Sequence, residues 1–205
     1  MKILAFTDLH LNSKALASIS SKVKKDKPDL LVSSGDLSFM GRGLKEIAEF
    51  LNKFNLPVLM IPSNHDDPQE LREICSKNKN LIYLHKGVYE INNFQFLGWG
   101  NDGFSYIEND FEDFMKKFRK EFNKNKKIIF VTHAPIYNTK LDLLPVGHRG
   151  CKSTRKFVEE FQPILTLCGH FHESFKKKDK IKNSLIINPG PDGMIIDVKL
   201  TQSQK

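Results

Sequence analysis

Five short apolar runs, each followed almost at once by Asp, His or Asn, constrain the fold of this chain more than any other feature. The runs span residues 3–6, 30–32, 58–61, 128–131 and 164–167. Their length and their content of Ile, Leu and Val predict buried β-strands. Between the first three runs, apolar residues recur at helical spacing, and Asp67-Pro68 predicts the start of a third helix. This β-α-β-α-β-α order predicts a parallel sheet.

The middle and the end of the chain add further strands. Runs over 81–84, 88–91 and 94–99 are close together and are separated by Lys86-Gly87 and Asn92-Asn93, which predicts an antiparallel meander. A Phe-rich stripe over 111–122 and the segment 153–161 predict two more helices, and 127–132, 185–187 and 194–198 predict more strands. About ten strands exceed a comfortable single open sheet. The predicted fold class is therefore α/β, with two packed mixed β-sheets flanked by helices in a single domain, residues 1–205.

Charge and cysteine content limit the partners and the compartment. The net charge is +8, which favours anionic partners, but only 5 of the 32 basic residues are Arg. A Lys-rich surface is often merely solvated. The three Cys show no CxxC spacing, no apolar run approaches the ~18 residues that span a bilayer, and the first residues lack a signal peptide. We expect a cytoplasmic protein without a membrane partner.

Polar residues at the ends of the five predicted strands form the candidate site. The carboxyl ends of strands in an α/β sheet line one crevice. We therefore expect one cluster made of Asp8, His10, Asp36, Asn64, His133, His170 and His172. On extended backbone, the two-residue spacing of Asp8 and His10, and of His170 and His172, would point both side chains of each pair the same way. Seven ligands suit two divalent ions bridged by Asp36, and this donor set favours Mn, Fe, Zn, Co or Ni.

These motifs resemble those of the calcineurin-like metallophosphoesterases. The resemblance extends from Asp8 to His172 and includes Gly35-Asp36, Asn64-His65-Asp66, His133 and Gly169-His170. It implies a four-layer double β-sandwich. It also implies one metal site from Asp8, His10, Asp36 and His172, and a second from Asp36, Asn64, His133 and His170. The segments 150–153, 169–173 and 188–191 are similar to those of small phosphoesterases related to bacterial cyclic-nucleotide phosphodiesterases.

One position departs from the family pattern. The family usually has Gly before the Asn-His pair, whereas this chain has Ser63. If the position requires a positive φ, Ser63 would be strained there.

The expected activity is dinuclear-metal-dependent hydrolysis of phosphodiesters, such as cyclic or short nucleotides. His65 and Asp66 are the candidate catalytic residues. His65 is expected to protonate the leaving oxygen or to stabilise the transition state, and Asp66 to orient the His65 imidazole.

Three other activities stay open. A phosphomonoesterase would use the same metals. A nuclease is favoured by basic clusters such as Lys124–Lys127, but the chain is short for an added DNA-clamping domain, so nucleic acid is the less favoured partner. A non-catalytic metal-binding scaffold is the third alternative. A homo-oligomer is compatible with the sequence, and the roles of Asn138, His148 and Arg149 are open.

Overall fold

Thirteen strands and five α-helices form the protein in a computed structural model that describes residues 1–199. The strands are β1 (Lys2–Phe6), β2 (Leu30–Ser33), β3 (Val58–Met60), β4 (Leu81–Tyr83), β5 (Gly87–Ile91), β6 (Phe94–Trp99), β7 (Lys127–Thr132), β8 (Leu143–Leu144), β9 (Gly147–His148), β10 (Leu165–Leu167), β11 (Lys178–Ile181), β12 (Ser184–Ile187) and β13 (Met194–Asp197). The helices are α1 (Ser13–Asp26), α2 (Leu44–Asn52), α3 (Pro68–Ser76), α4 (Asn109–Glu121) and α5 (Lys152–Phe161).

The strands form two mixed sheets and one short hairpin. The first sheet has the order β13-β1-β2-β3-β4, and the second has the order β11-β12-β10-β7-β6-β5. Strands β1 to β4 are parallel and β13 is antiparallel to β1. In the second sheet β6, β7, β10 and β12 are parallel, with antiparallel edge strands β5 and β11. The remaining strands, β8 and β9, pair with each other.

Alternating side chains of the central strands pack into different cores. In β1, Leu4 and Phe6 pack with α1, α2 and α3, whereas Ile3 and Ala5 pack between the two sheets. On the outer side of the second sheet, Phe130 packs with residues of α4 and α5. This two-residue alternation places helices outside and sheets inside. The predicted double sandwich with four layers is therefore confirmed.

Local signals explain where the helices begin. The Asn12 side chain accepts hydrogen bonds from the amides of Lys14 and Ala15, which caps α1. Asp67 caps α3 through the Glu70 amide, with Pro68 in the first turn, as the sequence predicted. No helix within residues 1–199 has the length and apolar character needed to cross a bilayer.

The predicted antiparallel meander over 81–99 is wrong in its first strand. β4 lies in the first sheet and is parallel to β3, since α3 provides the crossover connection between them. The chain then passes to the second sheet, where β5 and β6 alone form the antiparallel hairpin. The described residues also contain β8, β9 and β11, three strands that were not predicted.

Candidate metal centre

The loops that follow β1, β2, β7 and β10 are hydrogen-bonded to one another across the two sheets. The amide of Asp8 donates to the carbonyl of Gly35 at 3.1 Å, and the amide of Gly169 donates to that of His133 at 2.9 Å. The His133 ring reaches the first sheet through Nδ1, which lies 2.8 Å from the carbonyl oxygen of Ser34. These contacts bring six of the seven predicted ligands together, namely Asp8, His10, Asp36, His133, His170 and His172.

Asp36 is at the centre of this cluster. Its Oδ2 lies 3.4 Å from Nε2 of His10 and 3.6 Å from Nε2 of His133. Its Oδ1 instead accepts hydrogen bonds from the Ser63 hydroxyl at 2.5 Å and from the His65 amide at 3.3 Å. One carboxylate oxygen is thus held by the protein, and the other faces two imidazoles from different loops.

The second carboxylate, Asp8, is buried and has an oxygen without a partner. Within the described part of the chain, Asp8 Oδ1 makes no hydrogen bond. It lies 3.6 Å from Nε2 of His172 and 3.9 Å from Nε2 of His10. Its other oxygen accepts from the His170 amide at 3.2 Å. A buried carboxylate oxygen that faces imidazole nitrogens beyond hydrogen-bond distance is suited to a cation.

Backbone carbonyls orient two of the imidazoles. Nδ1 of His10 lies 3.1 Å from the Ser38 carbonyl oxygen, and Nδ1 of His133 lies 2.8 Å from the Ser34 carbonyl oxygen. A carbonyl accepts only, so each ring carries its proton on Nδ1 and leaves a lone pair on Nε2. Such contacts are typical of metal-ligating histidines.

The pKa values of the two histidines in the last motif are shifted in opposite directions. Burial lowers the pKa of His170 to about 4, and the adjacent His133 acts in the same direction. The interaction with Asp8 raises the pKa of His172. Burial acts to raise the pKa of Asp8, but the attraction of His172 and His133 outweighs burial, and the pKa is lowered. At 3.6 Å the His172–Asp8 contact is too long for a hydrogen bond, and it is an ion pair only when His172 is protonated.

The side chains do not converge through the extended spacing that the sequence analysis assumed. Asp8, His10, Asp36 and His170 have φ values of 53°, 42°, 51° and 69°. All four are in the left-handed region, which L-residues seldom adopt and which is concentrated at functional sites. The chain turns sharply at each of these ligands, so local turns rather than strand alternation aim the side chains.

Asn64 is the seventh predicted ligand. It is exposed in the turn after β3 and lines a cleft with Asn101 and Asp102. Within residues 1–199, no hydrogen bond joins its side chain to the cluster, and its role as a ligand stays a prediction.

His65 and Asp66 lie beside the cluster, but not as the predicted pair. The Asp66 carboxylate accepts from the amides of Leu37 at 3.2 Å and Ser38 at 2.9 Å. Nδ1 of His65 accepts from the Met40 amide at 3.2 Å. The predicted contact between Asp66 and the His65 imidazole is therefore wrong. Asp66 instead stabilises the loop after β2 through these two hydrogen bonds. Burial raises the pKa of Asp66. His65 also forms one of the candidate ligand groups, with His10 and Asp36.

Ser63 is not strained, because its φ is negative. Its hydroxyl accepts from the Asp36 amide at 2.5 Å and lies 2.5 Å from Asp36 Oδ1 and 3.0 Å from Asp66 Oδ2. The left-handed turn is made by Gly35, at φ 96°, where an added Cβ would lie 2.7 Å from the Ser63 Cβ. This polar contact between Ser63 and Asp36 was not predicted from the sequence.

The residues whose roles were open lie around the hairpin of β8 and β9. The buried Asp142 holds this hairpin: it contacts Nδ1 of His148 at 2.7 Å and accepts from the Asn138 amide at 3.1 Å. Arg149 donates to the Tyr106 hydroxyl at 2.7 Å. Asp142 was not among the predicted residues, since its partners are up to eight residues away in a segment without a strand pattern.

The donor set fits divalent cations. Asp8, His10 and His172 form one group of converging ligand atoms, and Asp8, Asp36 and His133 form another. The two groups share the buried carboxylate of Asp8, whose Oδ1 has no competing hydrogen bond within residues 1–199. Mixed imidazole and carboxylate ligation suits first-row transition metals and zinc.

Comparisons with known proteins agree with this geometry. The model of the calcineurin-like phosphoesterase family matches residues 1–174. An uncharacterized protein of Methanocaldococcus jannaschii is 33% identical over 96% of this chain and 91% of its own length. A protein of Synechococcus named a probable cyclic nucleotide phosphodiesterase is 26% identical over 85% of this chain and 74% of its own. The fold is similar to that of the Thermus thermophilus protein TT1561, with a TM-score of 0.75 at 16% identity over 92% of this chain and 88% of that one.

Proposed function

Because the chain belongs to the calcineurin-like phosphoesterase family, we propose that it is a phosphodiesterase that works with two divalent metal ions. The position of Asp36 carries this proposal. Its Oδ2 faces Nε2 of His10 at 3.4 Å and Nε2 of His133 at 3.6 Å, and these imidazoles come from the loops of two different sheets. A carboxylate oxygen between two such donors is suited to bridge two ions.

The ligands divide into two sets. Asp8, His10, Asp36 and His172 would hold one ion, and Asp36, Asn64, His133 and His170 the other. When bound, the two cations would lower the pKa of a water molecule towards neutrality and would neutralise charge on the phosphate oxygens. Mn is the ion of choice for reconstitution, with Fe, Zn, Co and Ni as alternatives.

His65 acts on the reacting phosphate as a hydrogen-bond donor in this proposal. Its Nδ1 accepts the Met40 amide proton, so the neutral ring carries its own proton on Nε2. A protonated His65 ring would carry a second proton on Nδ1, which would clash with the N–H of the Met40 amide. Of the two roles considered, this geometry favours stabilisation of the transition state by Nε2–H over protonation of the leaving oxygen.

The substrate class is the finer part of the proposal. A phosphodiester with a nucleotide component is favoured by the name of the Synechococcus relative, a probable cyclic nucleotide phosphodiesterase. A phosphomonoester is the close alternative and uses the same ligands. The oligomeric state and the cytoplasmic location stay predictions of the sequence.

Metal-dependent turnover tests the proposal. Protein stripped with a chelator and reloaded with Mn²⁺ would be assayed with bis(p-nitrophenyl) phosphate and with p-nitrophenyl phosphate. We expect activity to return with the metal and kcat/KM to be higher for the diester. Higher kcat/KM for the monoester would identify a phosphomonoesterase, and no turnover with any of the five metals would overturn the proposal.

A pair of Asp-to-Asn variants separates the bridging role from a general loss of charge. Asp36→Asn should lower kcat/KM by about 100-fold or more, because it removes the bridging charge. Asp67→Asn is the control, since Asp67 is an exposed helix cap near the same loop and Asn caps equally well. Equal activity of the two variants would contradict the role of Asp36.

A further inference from the structure

Two of the exposed large hydrophobic side chains, Phe39 and Phe104, lie directly beside candidate metal ligands. Within residues 1–199, the exposed large hydrophobic residues are Leu11, Phe39, Met40, Val88, Phe104, Tyr106, Ile107, Leu143 and Val146. All except Val88 lie in the segments that follow β1, β2, β6 and β7, and the rings of Phe39 and Phe104 lie beside those of His10 and His170. Single exposed hydrophobic residues need no explanation, but two exposed rings at one site indicate binding.

Phe39 lies at one end of the ligand cluster. Its ring is 53% exposed, and its centroid is 5.5 Å from that of His65 and 6.1 Å from that of His10. The loop that carries it is fixed on both sides. The Ser38 hydroxyl donates to the His65 carbonyl at 2.5 Å, and the backbone of Phe39 pairs with that of Arg42.

Phe104 lies at the other end. Its ring is 67% exposed and meets the His170 ring edge-on, with centroids 4.5 Å apart. Gly103 allows this close approach, because a Cβ there would lie 2.5 Å from the His170 ring. The loop is held by Asp102, which accepts from the Phe104 amide at 2.9 Å, and by the Lys152 amide, which donates to the Tyr106 carbonyl at 2.7 Å.

The two rings are separated by the row of ligands. Phe39 contacts His10, whose Nε2 is 3.4 Å from Asp36. Asp36 is 3.6 Å from His133, and His133 is 3.3 Å from Nδ1 of His170, which contacts Phe104. A phosphate placed over Asp36 would therefore have an exposed aromatic ring on each side. The loops that carry both rings are held by hydrogen bonds, so little backbone entropy is lost when a ligand packs on the rings.

We infer that Phe39 and Phe104 determine substrate specificity by stacking on a flat ring in one of the ester groups of the substrate, such as a nucleobase. Aromatic side chains provide such platforms for bases, because every base has a π-face. This inference rests on the proposed phosphodiesterase function and names the class of diester. The two rings would recognise the flat π-face of the substrate ring rather than its apolar surface in general.

Two diesters with the same leaving group test the inference. Thymidine 5′-(ethyl phosphate) and methyl ethyl phosphate can both release ethanol, a leaving group without a ring, so the chemical step is matched and the retained group alone differs. Phosphorus NMR would follow the hydrolysis of both diesters. In the Mn²⁺-loaded protein, Phe39→Leu or Phe104→Leu should raise KM for the thymidine ester about fivefold or more with little change in kcat. KM for the methyl ester should change less than twofold.

The choice of variants separates stacking from apolar contact. Leu keeps an apolar side chain but has no π-face, whereas Phe39→Trp keeps one and should retain or lower the wild-type KM for the thymidine ester. Val88→Ala, at an exposed hydrophobic position on β5, is the control and should leave both substrates unaffected. If the Leu variants behave as wild type, or if they impair both esters equally, the inference is overturned.

A binding measurement keeps the inference testable when turnover fails. Calorimetric titration with thymidine 5′-phosphate and with methyl phosphate should show tighter binding of the nucleotide, and the Leu variants should lose that difference. If the protein hydrolyses neither diester, that result overturns the proposed function but not the role of the two rings. Equal affinity of the wild-type protein for both phosphates would overturn the role of the two rings.

Discussion

Ser63 provides the sharpest test of how the candidate site is built. Its hydroxyl accepts from the Asp36 amide and shares its proton between Asp36 Oδ1 at 2.5 Å and Asp66 Oδ2 at 3.0 Å. Ser63→Ala would leave a buried amide without a partner and would remove a donor from two buried carboxylates. Hydrogen bonds to charged groups contribute roughly 1.5–3 kcal/mol, and an unsatisfied buried group costs roughly 1–3 kcal/mol.

The expected loss for Ser63→Ala is therefore about 2–4 kcal/mol in the free energy of unfolding. For a chain of this size, that loss corresponds to a decrease of roughly 5–15 °C in Tm. Asp36 would also lose the contact that fixes its orientation, and outer contacts of this kind change metal affinity by about 10–100-fold. Urea unfolding of the metal-free protein would measure the first effect, and calorimetric titration with Mn²⁺ would measure the second.

Ser34→Ala is the matched control. Ser34 is also buried and lies two residues from Asp36, but its hydroxyl has no hydrogen-bond partner among residues 1–199. Removing an unsatisfied hydroxyl is expected to be neutral or stabilising. The reasoning is refuted if Ser63→Ala and Ser34→Ala differ by less than about 0.5 kcal/mol, a difference typical of surface substitutions, and bind Mn²⁺ with equal affinity.

Three further predictions concern catalysis, packing and acid stability. His65→Ala should lower kcat by about 10²–10³-fold with unchanged metal content, and elemental analysis beside turnover would expose a mere loss of metal. Phe130→Ala should cost about 3–5 kcal/mol in urea unfolding, since this ring is fully buried; a cost below 1 kcal/mol would contradict the packing described. Burial lowers the pKa of His85 to about 4, below its unfolded value of about 6.5, so stability is full above about pH 6.5 and decreases as the pH falls towards 4. His85→Asn keeps an acceptor for the Gly100 amide and should remove about 1–2 kcal/mol of the loss between pH 7 and pH 5, as urea midpoints at both values would show; an unchanged loss would refute this assignment.

The convergence of six candidate ligands could be predicted because these residues follow strands with a strong apolar pattern. Asp8, Asp36, His133 and His170 come shortly after β1, β2, β7 and β10, and parallel strands bring such positions to one edge without any knowledge of the loops. The packing of two sheets could be predicted because about ten strands are too many for a single open sheet. The placement of β4 did not follow, because its separation from β5 is equally compatible with a hairpin and with a passage between sheets.

Features that depend on contacts between loops could not be predicted in this way. Asp66 bonds to the loop after β2 rather than to the adjacent His65, because the two buried amides of that loop need an acceptor. The Tyr106 hydroxyl donates to the His148 carbonyl, and this hydrogen bond joins residues that are 42 positions apart in the sequence. Neither partner has a pattern of strand or helix that would reveal the contact.

The left-handed backbone at the ligands has a consequence for protein engineering. Asp8, His10, Asp36 and His170 all adopt a conformation that Gly and, among L-residues, Asn tolerate best. A library selected for thermal tolerance alone would be expected to enrich Gly or Asn at these four positions, since relief of local strain is a common source of improved folding. The same variants would remove side chains that are proposed to bind the cations. Selection for heat resistance and selection for turnover would thus diverge at the ligand positions themselves.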